Sequence, residues 1–109
     1  MSTFAIKITA GARKDLHGIH AYISENDSRE NAGCVVQNIL RVIETLKELP
    51  ARGVHPPELI ALGNRKYREL FLKPYRILYT VREDVVYIAL IADGRRDMHS
   101  LLANRLLMR

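Results

Sequence analysis

The last third of the chain, YRELFLKPYRILYTVREDVVYIALIADGRRDMHSLLANRLL over residues 67–107, constrains the fold most, because three alternating patterns follow one another with room only for tight turns between them. A strand period of two separates Ile77, Tyr79 and Val81 from Arg76, Leu78 and Thr80, so Arg76 leaves the surface used by its apolar neighbours. A two-residue turn at Lys73 and Pro74 sets Leu70 opposite Ile77 and Leu72 opposite Tyr75. A second at Glu83 and Asp84 sets Ile77 opposite Leu90 and Tyr79 opposite Ile88. These registers gather Leu70, Leu72, Ile77, Tyr79, Val81, Val86, Ile88 and Leu90 on one face and leave Phe71, Arg76 and Ile91 as a row on the other.

Upstream, Thr3 to Ile8 alternates in the manner of a short strand. From Ala12 the apolar spacing becomes Leu16, Ile19 and Ile23, a helix capped by Thr9 and running to about Glu25 or Asn26. Asp27 followed by Glu30 matches a reciprocal capping pattern, which starts a second helix at Ser28. Its stripe, from Ala32 through Val35, Val36, Ile39, Leu40, Ile43 and Leu46 to Leu49, extends over about six turns before Pro50 and Gly53 end it. Gly18 and Gly33 either let the paired helices approach or are simply weak helix positions. Ala51 to Lys66 is an irregular connection with one helical turn at Glu58 to Leu62, and Asp97 caps a final helix carrying Met98, Leu101, Leu102 and Leu106. The predicted architecture is α+β: an N-terminal strand, an antiparallel two-helix hairpin packed on a mainly antiparallel four-stranded sheet, and a short C-terminal helix.

A chain of 109 residues suits a single domain spanning residues 1–109. No apolar run approaches the roughly 20 residues that cross a bilayer, and the N-terminal stretch has no secretory core. With only one cysteine, these features predict a soluble cytoplasmic protein. A formal charge of +5 favours an acidic partner, either nucleic acid or an anionic protein segment.

Candidate chemistry centres on Arg76, Arg95 and Arg96, which this strand arrangement brings towards one positive cleft suited to phosphate or carboxylate. The bland alternative pairs Arg76 with Glu69 or Asp93 and leaves Arg95 and Arg96 as solvated turn residues. A ribonuclease needs a base and an acid as well; His99 and Tyr67, Tyr75 and Tyr87 are available, although a histidine in the first turn of a helix is usually a surface residue. His17, His20, His55 and His99 do not form a metal-ligand pattern, no phosphate-binding glycine loop occurs, and no cofactor is implied. Cys34 beside the apolar stripe is expected to be a packed, inert thiol.

The segments ARKDLHGIHAYI, YREL, PYRILYTV and VYIALIADGRRD, with the proline after the second helix, make the chain similar to the RelE/ParE toxin superfamily over nearly its whole length. That resemblance implies the toxin of a bacterial type II toxin–antitoxin pair, associated with growth inhibition and plasmid stabilisation and bound by a small acidic antitoxin. It also implies either of two activities: poisoning of DNA gyrase in ParE-like chains, or ribosome-dependent messenger RNA cleavage in RelE-like ones. Arg76 and Arg96 match cleft arginines of the RelE pattern, and Arg68 stands for a basic residue of the preceding strand. Leu70 replaces a second strand lysine, and Leu102 stands where the C-terminal helix would carry a tyrosine acid. As a ribonuclease the chain would depend on Arg76, Arg96 and His99. As a binding toxin it would use Arg68, Arg76, Arg95 and Arg96 on its target. A non-toxic autoregulatory module is the third reading; the antitoxin-binding residues stay open.

Overall fold

The Thr9 hydroxyl sets the first junction of the fold. It accepts a hydrogen bond from the Ala12 amide at 3.2 Å, which caps a helix, and donates to the Ile88 carbonyl at 2.8 Å, which pins that helix to a strand far along the chain. A computed structural model describes residues 3–107. Strand β1 (Ala5–Ile8) leads into helices α1 (Ala10–Asn26) and α2 (Arg29–Glu44), and α2 tightens into a 3₁₀ turn at Thr45–Lys47. A short helix α3 (Pro57–Ile60) interrupts the connection to β2 (Arg68–Leu72), β3 (Tyr75–Arg82) and β4 (Val85–Asp93), and α4 (Met98–Leu102) continues into a π turn at Ala103–Leu107. The sheet order is β1-β4-β3-β2, with β1 parallel to β4 and the other neighbours antiparallel. The α+β architecture with a mainly antiparallel sheet is therefore as the sequence implies.

Local details differ from expectation in two places among the helices. Ser28, not Asp27, caps α2 through a 3.0 Å bond from the Asn31 amide. Asp27 already closes α1, its amide bonding the Ile23 carbonyl at 2.8 Å, so it cannot also serve as the extended cap residue of the next helix. The α2 stripe is also shorter than predicted: Leu46 is fully buried within the 3₁₀ turn, whereas Leu49 is 60% exposed. Gly18 and Gly33 face open space, so neither is required for close helix approach.

The expected β2–β3 register holds, pairing Leu70 with Ile77 and Leu72 with Tyr75 across the Lys73–Pro74 turn. In β3–β4, Tyr79 pairs with Ile88 as predicted, but Leu78 pairs with Leu90 and Ile77 with Ile91. The irregularity between Leu78 and Tyr79 places Ala89 as an extra residue on β4, and one extra residue reverses side-chain parity beyond it. Ile91 consequently joins Leu16, Ile39, Ile43, Ile77 and Ile88 beneath the helical hairpin. Leu90 moves to the opposite face with Leu78 and Ala92, where Leu59, Met98 and Leu102 cover it. The predicted membership of these two residues is thus exchanged, and the sheet is buried on both faces.

Side chains complete the backbone bonding at the irregularity. Asp15 of α1 accepts from the Ile91 amide at 3.0 Å, and Arg105 donates to the Ala89 carbonyl at 3.0 Å. The two side chains pair with each other through both guanidinium nitrogens, at 3.0 and 3.1 Å. Two backbone groups beyond the reach of β1 are therefore satisfied by a carboxylate–guanidinium pair that also holds the C-terminal segment to α1.

Candidate functional site

Arg76 does not present a free guanidinium to an open cleft. Its strand position places it opposite Phe71 and one step diagonally from Glu69, on the face that α3 crosses. The guanidinium fork bonds both carboxylate oxygens of Glu58 at 2.8 Å, while Nε donates to Glu69 Oε1 at 2.7 Å. Only 9% of the residue is exposed. The pairing with Glu69 was one of the alternatives visible in the sequence; Glu58 was not, because it arrives from the irregular connection 18 residues earlier.

The two glutamates respond in opposite directions. Hydrogen bonding from Arg76 outweighs burial at Glu58 and holds its carboxyl down to about 2. At Glu69 burial dominates over Arg76 and pushes the carboxyl upward, and its Oε2 atom is buried without a hydrogen-bond partner. Arg76 is in turn held more firmly protonated, chiefly by Glu58.

The other predicted residues occupy different surroundings. Arg68 donates to the Gly53 carbonyl at 2.8 Å and so ties the connecting loop to β2. Arg95 is exposed and chelated by Asp93, with Nε 2.9 Å from Oδ1; this hydrogen bond lowers the Asp93 carboxyl from its ordinary value. Arg96 and His99 are exposed, and Arg96 has no ion pair among the described residues. Tyr79 is buried, donating to the Pro50 carbonyl at 2.8 Å and accepting from the Gly53 amide at 2.9 Å. Tyr87 lies under Arg82, with 4.5 Å between the guanidinium and the ring centre.

Arg76 and the Arg95–Arg96 pair line separate depressions, so the three guanidinium groups do not share one pocket. Gly94 separates them by packing on the Arg76 stem, where a Cβ would sit 2.9 Å from Arg76 Cδ. Beyond Gly94 the chain turns towards α1. There, a groove of about 530 Å³ between α1 and the end of β4 is lined by Lys14, Ile19, Tyr22, Tyr75, Arg95 and Arg96, among others. Tyr22 is 68% exposed. Sequence reasoning missed Lys14 and Tyr22; their spacing of four on either side of Gly18, which sets all three on one face of α1, was the available signal.

Cys34 is exposed, contrary to the packed thiol expected, because the buried positions of α2 are Ala32, Ile39 and Ile43. Among the described residues there is no group of three or more histidine, cysteine or acidic side chains placed to hold a metal, and no helix long and apolar enough to cross a membrane.

A helical hairpin backing a mainly antiparallel four-stranded sheet, with an amphipathic, cation-rimmed groove between α1 and β4, defines a small α+β binding domain. The family model for the ParE toxin of the type II toxin–antitoxin system parDE matches residues 6–98, and the chain belongs to that family. Among solved structures, one titled as the chromosomal ParDE toxin–antitoxin system from P. aeruginosa is similar in fold, with a TM-score of 0.70 and 23% identity. The match covers 83% of this chain and 95% of that one. A comparison with curated protein sequences finds no match.

Proposed function

We propose that this ParE-family toxin acts in the cytoplasm by poisoning DNA gyrase and is silenced by an acidic antitoxin segment lying in the α1–β4 groove. The observation that carries the non-nucleolytic part of this reading is the state of Arg76. All three of its donor nitrogens are engaged by carboxylates, which leaves the strand arginine of the ribonuclease pattern without a free fork for a phosphate. The gyrase target comes from the ParE side of the resemblance.

The groove supports the antitoxin part. Arg95 is largely compensated by Asp93, whereas Lys14 and Arg96 stand unpaired among the described residues beside Tyr22, Tyr75 and Ile19. An extended or helical segment combining carboxylates with apolar side chains complements that lining. Ordering such a segment costs conformational entropy, which the buried aromatic and aliphatic contacts offset.

Induction of the chain alone tests the activity. Gyrase-dependent DNA breaks are expected; truncated messages with intact DNA would instead establish a messenger RNA interferase, and continued growth would establish a non-toxic module. The groove is tested separately by Lys14→Glu combined with Arg96→Glu, which should weaken antitoxin binding while leaving the fold intact. Unchanged affinity would place the antitoxin elsewhere.

A further inference from the structure

The free edge of β2 carries a second feature. In β2 the Glu69 amide and carbonyl point away from β3, where they bond Val54 at 2.7 and 3.1 Å in an isolated bridge. Strand geometry repeats every two residues, so the amide and carbonyl of Phe71 also point outward. In that antiparallel bridge the connecting chain runs on from Val54 towards Tyr67, away from Phe71. The Arg52 amide, which the bridge would otherwise bring level with Phe71, is bonded to the Leu49 carbonyl at 3.1 Å. Since β2 is the outermost strand, no neighbouring strand reaches Phe71.

Side chains at the same place are equally uncovered. Phe71 is 61% exposed, although Leu78, Leu90 and Ala92 on the same sheet face are buried under α3 and α4. It borders a depression of about 720 Å³ whose lining includes Pro57, Pro74, Tyr75 and Arg76 and is mostly apolar. Lys73 stands at the rim, two residues after Phe71, exposed and without an ion pair among the described residues. Arg76 contributes little net charge because Glu58 and Glu69 hold it.

The geometry points to a protein-docking edge at Phe71: an extended segment of a partner adds to β2 as a fifth strand, setting an apolar side chain against Phe71 and a carboxylate, two residues away, against Lys73. Strand addition explains the required backbone shape, since the outward Phe71 amide and carbonyl accept only an extended chain. The two-residue spacing follows from Phe71 and Lys73 lining the same depression, Lys73 being the first residue of the turn after β2. Lysine at a sheet edge discourages pairing with a second copy of the same chain, which would bring two such charges together, and favours an acidic partner. This edge shares only Tyr75 with the α1–β4 groove, so it stays open when that groove is filled, and it does not depend on the toxin reading.

The probe is a fluorescein-labelled peptide, acetyl-Thr-Asp-Thr-Val-Thr-Asp-Thr-amide, whose symmetric pattern presents valine and aspartate two apart in either direction. Titration with the full chain by fluorescence anisotropy should saturate, and Phe71→Ala and Lys73→Glu should each weaken binding by about tenfold. Lys14→Glu, in the other groove, should leave it unchanged. Hydrogen exchange at the Phe71 amide should slow in the complex. Absence of saturation, insensitivity to Phe71→Ala, an effect of Lys14→Glu equal to that of Lys73→Glu, or an unprotected Phe71 amide would each overturn the proposal. Circular dichroism of Phe71→Ala, whose ring is exposed, checks that lost binding does not reflect lost fold.

Discussion

Replacing Glu58 by glutamine removes the carboxylate that grips both arms of the Arg76 fork, and the structure sets the size and pH dependence of the loss. A carboxyl held from the usual 4.5 down to about 2 corresponds to about 3 kcal/mol of native-state stabilisation. The Glu58 side chain keeps 17% of its surface in water, which screens the pair and reduces the expected cost to about 2 kcal/mol at pH 7. The sign follows from the depressed pKa: the contribution is fully present above the unfolded value and is lost as pH falls from about 4.5 towards 2. Urea unfolding of the wild type and Glu58→Gln should therefore give curves about 2 kcal/mol apart at pH 7 that converge near pH 2. Glu69 behaves oppositely. Its carboxyl is raised by burial, so its stabilising contribution belongs to low pH and disappears as pH rises through the folded value. Glu69→Gln should accordingly cost less than Glu58→Gln at pH 7, within about 1 kcal/mol of the wild type, despite being the more buried site. A Glu58→Gln penalty that stayed constant between pH 7 and pH 2, or a larger penalty at Glu69, would refute this account of the cluster.

Asp15→Ala should lower stability by about 2–3 kcal/mol, because it leaves the Ile91 amide unpaired and Arg105 uncompensated. In a double-mutant cycle with Arg105→Ala, measured by urea unfolding, strict additivity would contradict a shared clamp. Gly53→Ala places a Cβ 2.6 Å from the Tyr79 hydroxyl and 2.8 Å from the Glu69 carbonyl, so a loss of about 1–3 kcal/mol is expected by thermal unfolding, and an unchanged midpoint would show that the loop relaxes freely. Tyr79→Phe should cost about 1–3 kcal/mol by the same measurement, since the Gly53 amide and Pro50 carbonyl lose their common partner. Glu83, in the β3–β4 turn, has a φ of 55°, and Glu83→Gly should raise stability by about 1 kcal/mol; a fall would indicate that its side chain contributes more than the turn geometry costs.

Local sequence determined the elements with short-range causes. Thr9 and Asp97 are caps because their oxygens reach amides three residues on, and the β2–β3 pairing follows from a two-residue turn between alternating runs. The separation of Arg76 from the Ile77–Tyr79 face was equally legible, being a matter of strand parity alone. Parity also explains the failure at β4, where Ala89 shifts the count by one without any glycine or proline to announce it.

Only the tertiary structure decided what surrounds the arginines. Glu58 reaches Arg76 from α3, Asp15 reaches the β4 irregularity from α1, and Arg105 closes that pair from near the chain's end. Each contact depends on how a connection without periodicity or a helix end is docked, information that the spacing of residues in sequence does not contain. The chain thus encoded a basic α+β domain through its periodicities, whereas folding across the sheet determined which positive charges were consumed by carboxylates and which remained at the grooves.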